Sequence, residues 1–369
     1  MRDYDCIRCR FFCVGFDWLF CVFRFRAEKN ALILLGCLPL ALLAGLRSTS
    51  VGVDTGYYPL VAFHAALDGG PIHVSQVSGC EIGFSLLIWV LTSLTQNFNA
   101  VLFCVQALML SLLAYQLVRC DSKHVGTALF VYACIFLPWS FNLMRQALAA
   151  ALFLPAFQFA LEKKKLRFII TIIIAASIHR TVVIGLLIYP MCAIAAMEKA
   201  RSKQFIIVLS SLFAVFLMLF ISFGEVLLNW AALIKESYSY EVLGNGRFNA
   251  LFTLYPAMLA VLSMFSSHGR GARRDIRDTG RKLNALMIFT SAASLMSLLS
   301  QTLFRVAYMF LIFSPLQVDY LLTSIESDST RRVVCTVILL ASAFVFLWAY
   351  CYGDASGAYP YKSDILGIV

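Results

Sequence analysis

Charge is scarce in this chain. Asp, Glu, Lys and Arg make up 14% of its 369 residues, against roughly 25% in soluble domains. No stretch is long and polar enough to form a separate soluble domain, so one domain spanning 1–369 is expected. No period of 20–50 residues recurs, which argues against a repeat architecture. The one CxxC, Cys6-Ile-Arg-Cys9, has neither a second pair nor neighbouring histidines, so it is a poor metal site. Most of the twelve cysteines sit inside apolar runs, where cysteine behaves as a small hydrophobe. A cleavable signal peptide is not evident, because the first residues are charged and Asp17 interrupts the apolar run. The outer loops assigned below hold no acidic pair with the spacing of a DxD magnesium site, so chemistry without a metal or other cofactor is expected.

What is abundant is apolar sequence: 61% of the residues, with a mean hydropathy of +0.82. Apolar runs near ~20 residues recur along the length, as membrane-spanning helices require. The expected fold is an all-α polytopic membrane protein with about ten to twelve transmembrane helices. The net charge of +10 does not imply nucleic acid, because the basic residues lie in short loops between apolar runs, the pattern of cytoplasmic membrane loops.

Those basic clusters set an orientation. Arg24 to Lys29, Glu162 to Arg167, Glu198 to Lys203, Arg270 to Lys282 and Arg331-Arg332 are placed on the cytoplasmic side. Ala31–Leu46 then runs outward and Ala147–Leu161 inward. Phe168–Ile178 and Val182–Met197 form an out-and-back pair. Phe205–Phe223 runs out and Asn249–Phe265 returns. Asn284–Leu303 runs out, Val306–Leu322 returns, and Val333–Tyr350 runs out to an external tail, 351–369. Residues 1–29 are cytoplasmic or interfacial, and Phe11–Phe25 is either a short span or an interfacial helix. Residues 47–80 form the first outer loop. Two further runs, Phe84–Leu94 and Ala100–Leu117, break the parity: either one is re-entrant or the Arg119–Lys123 loop faces out.

On this orientation Arg47, Arg145, Arg180, Arg247 and Arg305 all fall at the outer ends of spans, against the positive-inside bias. Charge in hydrocarbon costs about 2.5–3.5 kcal/mol on insertion scales. A lone arginine there is explained by snorkelling to the interface; five together suggest a buried anionic partner in an outward-facing cavity. Asn142, Arg145, Gln146, Ala149 and Ala150 recur at helical spacing and share a face. A second stripe runs through Ser294, Ser297, Gln301, Arg305 and Tyr308, in which the serines are ordinary packing residues. The Phe168–Ile178 leg is only ~16 Å long, so the His179-Arg180 apex is expected at membrane depth, facing protein or water. Histidine suits proton transfer near neutral pH, although a lone buried histidine is more often structural. In the first outer loop, Asp54 beside Tyr57 and Tyr58 offers a carboxylate next to rings that stack on sugars. Glu81 follows at the start of an apolar run. The two carboxylates are candidates for base and hydroxyl binder; the plainer readings are loop solvation for Asp54 and N-capping for Glu81.

RSTSVGVDTGYY, CEIGFSLL, NLMRQALAAALFLPAF, EKKKLRFIITIIIAASIHRTVVI and SQTLFRVAYMF occur in that order. Together they resemble the EpsG family of Wzy-type bacterial polysaccharide polymerases, from about Arg47 to Tyr361. The resemblance implies an inner-membrane enzyme, related to GT-C-type membrane glycosyltransferases. Such an enzyme polymerises polyprenyl-pyrophosphate-linked oligosaccharide repeat units in exopolysaccharide, capsule or O-antigen synthesis, among membrane lipids and beside a flippase and a chain-length regulator. Carried over by residue, it implies substrate contacts at Arg47, Tyr57 or Tyr58, Arg145 and Gln146. It also points to Asp54, the Glu81–Gly83–Phe84 signature, and His179 at the hairpin. Ile82 stands where proline is usual and Ile178 where phenylalanine is common. With the residue reading, the candidate catalytic groups are His179, Asp54 and Glu81. The candidate substrate-binding groups are Arg47, Tyr57, Tyr58, Arg145, Gln146, Arg180, Gln301, Arg305 and Tyr308. The alternatives are a single-addition lipid-linked glycosyltransferase, a ligase-like transferase, which would need a larger outer loop than Val226–Phe248, and a proton-coupled transporter or flippase.

Overall fold

The computed structural model describes residues 27–197, 249–266, 274–298, 301–353 and 355–368. The expected Phe11–Phe25 and Phe205–Phe223 segments, the Val226–Phe248 loop and Arg247 lie outside the described residues. Among the described residues the protein is helical and has no strand beyond one isolated bridge, Ser363 with Ile368.

Among the described residues, four helices are long and apolar enough to cross a membrane: Phe98–Arg119, Met144–Leu161, Phe304–Ser324 and Asp328–Tyr352. A fifth span is possible if Pro71–Ser78 and Ile82–Thr95, which meet at a 118° bend, are taken as one broken span. This is fewer than the ten to twelve expected. Part of the difference lies in residues outside the described set. The rest has a physical cause: several expected spans are built from short or interrupted helices. Ile33–Leu46, Val125–Ile135, Arg180–Ala195 and Ala250–Phe265 are apolar but short. Lys165–Ile178 has 14 residues, hence ~21 Å at the α-helical rise.

Hydrogen bonds across the bundle bear on the parity question left open between Arg47 and Arg119. Asn99, at the start of Phe98–Arg119, donates to the carbonyls of Gly45 and Arg47 at the end of Ala27–Leu46, at 2.7 and 3.0 Å. Glu81, at the other end of Ile82–Thr95, bonds to Arg145. Both ends of the Ile82–Thr95 helix therefore lie at the end of the bundle that holds Arg47 and Arg145, the geometry of a re-entrant element. Phe98–Arg119 is long and apolar enough to cross, and Arg119 pairs with Glu162 at the opposite end.

At that opposite end Lys164 joins the Glu162 pair at 2.5 Å. Buried Asp319 accepts from Ser122 Oγ at 2.6 Å and from the Lys123 and His124 amides at 3.1 and 2.8 Å, fixing the turn into Val125–Ile135. Aromatic side chains fill the centre, with Phe153, Phe157, Phe310 and Phe313 fully buried. Gly185 is required there, because a methyl group at that position would overlap the Phe153 ring.

The run Phe141–Phe153 is not the single helix that its spacing suggests. It breaks at Leu143 (φ −96°, ψ 56°), between Leu137–Asn142 and Met144–Ala151. Asn142 therefore belongs to the helix before the break, and Arg145 opens the one after it. The serines of the second stripe pack as expected: Ser294 Oγ and Thr253 Oγ1 are 2.6 Å apart, and Ser297 Oγ accepts from the Asn249 amide at 3.4 Å.

Candidate functional site: a cationic chamber at one end of the bundle

Glu81 is the N-cap residue of Ile82–Thr95, yet its side chain makes no capping bond to that helix. The carboxylate reaches across the chain instead. Arg145 Nη1 donates to Oε2 at 2.9 Å. Oε1 accepts the Arg180 amide at 3.4 Å and lies 3.6 Å from Arg180 Nε. His179 Nδ1 is 3.5 Å from the same oxygen, too far for a firm hydrogen bond, and is left without a hydrogen-bond partner. Burial works against charge on Glu81, but His179, its own amide and Arg145 outweigh it and bring the carboxyl down to about 2. Glu81 is thus ionised at neutral pH. Of its contacts, the Arg145 bond has the geometry of a charge-assisted hydrogen bond.

Local packing explains how Glu81 arrives there. A Cβ at Gly83 would collide with the Ser177 side chain and backbone, so glycine lets the first turn of Ile82–Thr95 press against the end of Lys165–Ile178. That contact sets Glu81 beside His179 and Arg180. Tyr58 supports the other side. The Arg145 guanidinium carbon sits 4.2 Å from the Tyr58 ring centroid, a cation–π arrangement. The Tyr58 hydroxyl accepts from the Arg145 amide at 3.4 Å, and its ring meets Phe84 edge-on at 6.2 Å.

Asp54 lies nearby on a tightly held loop. Its amide donates to Asn142 Oδ1 at 3.0 Å, and Thr55 Oγ1 donates to the Phe141 carbonyl at 2.9 Å. Gly52 has φ +83° and packs where a Cβ would strike the Phe141 carbonyl, so both backbone conformation and space demand glycine. The half-buried Asp54 carboxyl is within electrostatic reach of Arg305 and Arg145. Burial raises it above the usual aspartate value, and the two arginines only partly offset that. Gln146 Nε2 donates to the Arg305 carbonyl at 3.4 Å, joining the Arg145 helix to the Arg305 helix.

Arg47 is 2% exposed. Its Nη1 donates to the Ala44 carbonyl at 2.7 Å, and its guanidinium carbon lies 4.7 Å from the Phe141 ring centroid. Nε and Nη2 are buried and have no hydrogen-bond partner. The C-terminal tail is laced over this corner. Ser48 N bonds to Lys362 O at 2.9 Å, Gly52 N to Gly357 O at 2.7 Å, and the Tyr361 hydroxyl to Leu43 O at 2.9 Å.

The structure thus brings Arg145, Arg180, Glu81 and His179 into contact, sets Tyr58 and Asp54 beside Arg145, and puts Arg305 within reach of Asp54. Arg47 is buried below the tail. Tyr308, one turn from Arg305, is buried and stacks on Trp139 at 4.9 Å and 15°. Tyr57 is 70% exposed and is joined to the site only through its amide, which bonds to the Asp54 carbonyl at 3.0 Å. The side chain of Gln301 lies outside the described residues. Sequence reasoning missed Trp139 and the tail over Arg47. Nothing in the apolar run around Trp139 marked it, whereas Tyr361 in the tail was a legible sign of packing. Among the described residues no three His, Cys, Asp or Glu side chains gather in a way that would hold a metal ion.

Apolar helices long enough to span a bilayer, with guanidinium groups gathered at one end of their bundle, define an integral membrane protein with a cationic cluster at that end. The chain belongs to the EpsG family, whose model matches residues 30–363, nearly the whole length. Membership supports a polysaccharide polymerase-like role in general terms. No curated protein and no solved structure matches the chain.

Proposed function

We propose that this protein extends a polysaccharide by transferring glycan from a polyprenyl diphosphate carrier to the next lipid-linked repeat unit, with the cationic chamber on the outer face of the bacterial inner membrane. The observation that carries the reading is the convergence of Arg145 and Arg180 on Glu81, beside Asp54 and Arg305. Arg145, Arg180 and Arg305 lie near two carboxylates, Glu81 and Asp54, and Arg47 beneath the tail adds a fourth guanidinium, so four positive charges stand against two negative ones. A sugar–diphosphate–lipid diester carries two negative charges, so the chamber complements it. The relation to GT-C-type transferases belongs to the same reading.

In the transfer, the bond between the anomeric carbon of the donor glycan and the diphosphate oxygen breaks. A bond forms between that carbon and an acceptor hydroxyl oxygen. The acceptor proton passes to a carboxylate or imidazole, and the polyprenyl diphosphate leaves with the electron pair. Arginines stabilise that leaving charge through forked hydrogen bonds, which strengthen where water is scarce. Asp54 is the favoured proton acceptor, because burial has already shifted it toward binding a proton. His179, with its unpartnered Nδ1, is the second. Arg47, Arg145, Arg180 and Arg305 hold the diphosphate, and Tyr57 and Tyr58 face the sugars. A flippase supplying the substrate and a chain-length regulator are the expected neighbours.

The test is a gel of surface polysaccharide from a deletion strain complemented with single-site variants. Wild type should restore a ladder, and Arg145→Ala should leave single repeat units on lipid. A single-addition transferase would give one product without a ladder in wild type. A flippase would leave no product on the outer leaflet when lost.

A further inference from the structure

We infer that Glu81 is a positioning residue that sets the spacing of the Arg145 and Arg180 guanidiniums, and that it takes no proton in the reaction. The inference rests on the diphosphate reading above and deepens it.

Three elements distant in sequence meet at this one carboxylate. Arg145 opens the helix after the Leu143 break, and His179 and Arg180 form the hairpin apex. Glu81 comes from the N-cap of the re-entrant helix, where it forgoes capping. Its two oxygens are divided: Oε2 takes Arg145 Nη1 at 2.9 Å, and Oε1 faces the Arg180 amide at 3.4 Å and Nε at 3.6 Å. A carboxylate bridging two cations is poorly placed to accept a substrate proton, because protonation would release both. Without it, two guanidiniums would repel each other in a half-buried site. Gly83 against Ser177 holds the bridge in register. The side chain of Arg180 is 69% exposed, so it has a free flank for a ligand, whereas Arg145 is held by Glu81 on one side and Tyr58 on another.

A base and a positioner answer differently to Glu81→Gln. As a positioner, Glu81 competes with an incoming anion for the same guanidiniums while keeping them correctly spaced. Its removal separates affinity from turnover. Purified protein should bind inorganic pyrophosphate about threefold more tightly, the scale of one screened ion pair, while polymer formation falls at least ~tenfold. The remaining rate should keep the acidic limb of its pH profile. Glu81→Asp, which retains the charge on a shorter arm, should restore wild-type pyrophosphate affinity and part of the rate. The inference is overturned if Glu81→Gln flattens the acidic limb, since Glu81 would then be the base. It is equally overturned if neither affinity nor rate moves, or if Asp and Gln variants lose pyrophosphate binding alike, the mark of a folding role. Wild-type protein that polymerises but binds no pyrophosphate would overturn the diphosphate reading itself. Pyrophosphate binding by wild type with any of these failures at Glu81 would overturn only this assignment.

Discussion

Arg47→Met separates what this chamber costs the fold from what it gives to binding. Arg47 is 2% exposed, and two of its three guanidinium nitrogens, Nε and Nη2, are buried without partners. Each unmet donor costs about 1–3 kcal/mol. Against this stand the Nη1 bond to the Ala44 carbonyl, worth about 1.5–3 kcal/mol, and the Phe141 face, worth about 1–2 kcal/mol. The two sides nearly cancel. Methionine fills similar volume with no polar demand, so the unliganded variant should lie within about 1 kcal/mol of wild type, whereas removing one partner of a fully satisfied buried ion pair costs about 3–5 kcal/mol. The ligand response should differ sharply. Pyrophosphate at 100 times its dissociation constant stabilises a binding protein by about 2.7 kcal/mol, and Arg47→Met should lose most of that. Buried free cysteines such as Cys37, Cys134 and Cys192 allow a thiol-reactive dye to report unfolding during a thermal ramp. A variant that melts several degrees early without ligand, yet keeps the full pyrophosphate shift, would show that Arg47 is a structural residue and would refute the reasoning.

Arg145→Lys keeps the charge but loses the flat guanidinium on Tyr58 and the fork for phosphate; polymer yield should fall about tenfold or more, measured as ladder density, and near-normal ladders would contradict the site. Gly83→Ala should push the re-entrant helix off Ser177 and separate Glu81 from Arg180, reducing activity while the bundle still folds, as checked by size-exclusion profile beside turnover. Asp54 sits above the ordinary aspartate value because of burial, so the rate should fall as pH drops through a point above that ordinary value, where the carboxylate becomes protonated. The sign for stability is the reverse: ionising this carboxyl costs the folded state free energy above its raised pKa. Asp54→Asn should therefore abolish the acidic limb without lowering the melting temperature at neutral pH.

Much of this site was legible in the sequence because charge in an apolar chain stands out. Arg145, Arg180 and Arg305 were marked by position alone, and the EpsG resemblance that carried Glu81 and His179 is matched by family membership over residues 30–363. The helix boundaries near the site were not legible. Asn142 and Arg145 fit one helical face, yet the chain breaks at Leu143, since Asn142 is held by the Asp54 amide from a distant loop. The re-entrant Ile82–Thr95 reads as an ordinary apolar run; only the long-range bonds of Glu81 and Asn99 place both its ends on one side. The span count among the described residues differs from the expected one for a related reason. The short leg ending at Ile178 was legible from its length, but its packing against Gly83 and the shortness of Val125–Ile135 and Ala250–Phe265 were not. N-capping was the plain expectation for Glu81, and its position is indeed the cap, but tertiary partners took the side chain.

The most direct measurement uses purified protein and a lipid-diphosphate-linked repeat unit, counting free polyprenyl diphosphate against glycosidic bonds formed. The account predicts one diphosphate lipid released per linkage, a growing ladder, and loss of both in Arg145→Ala. Linkages formed without diphosphate release, or a ladder untouched by Arg145→Ala, would contradict it.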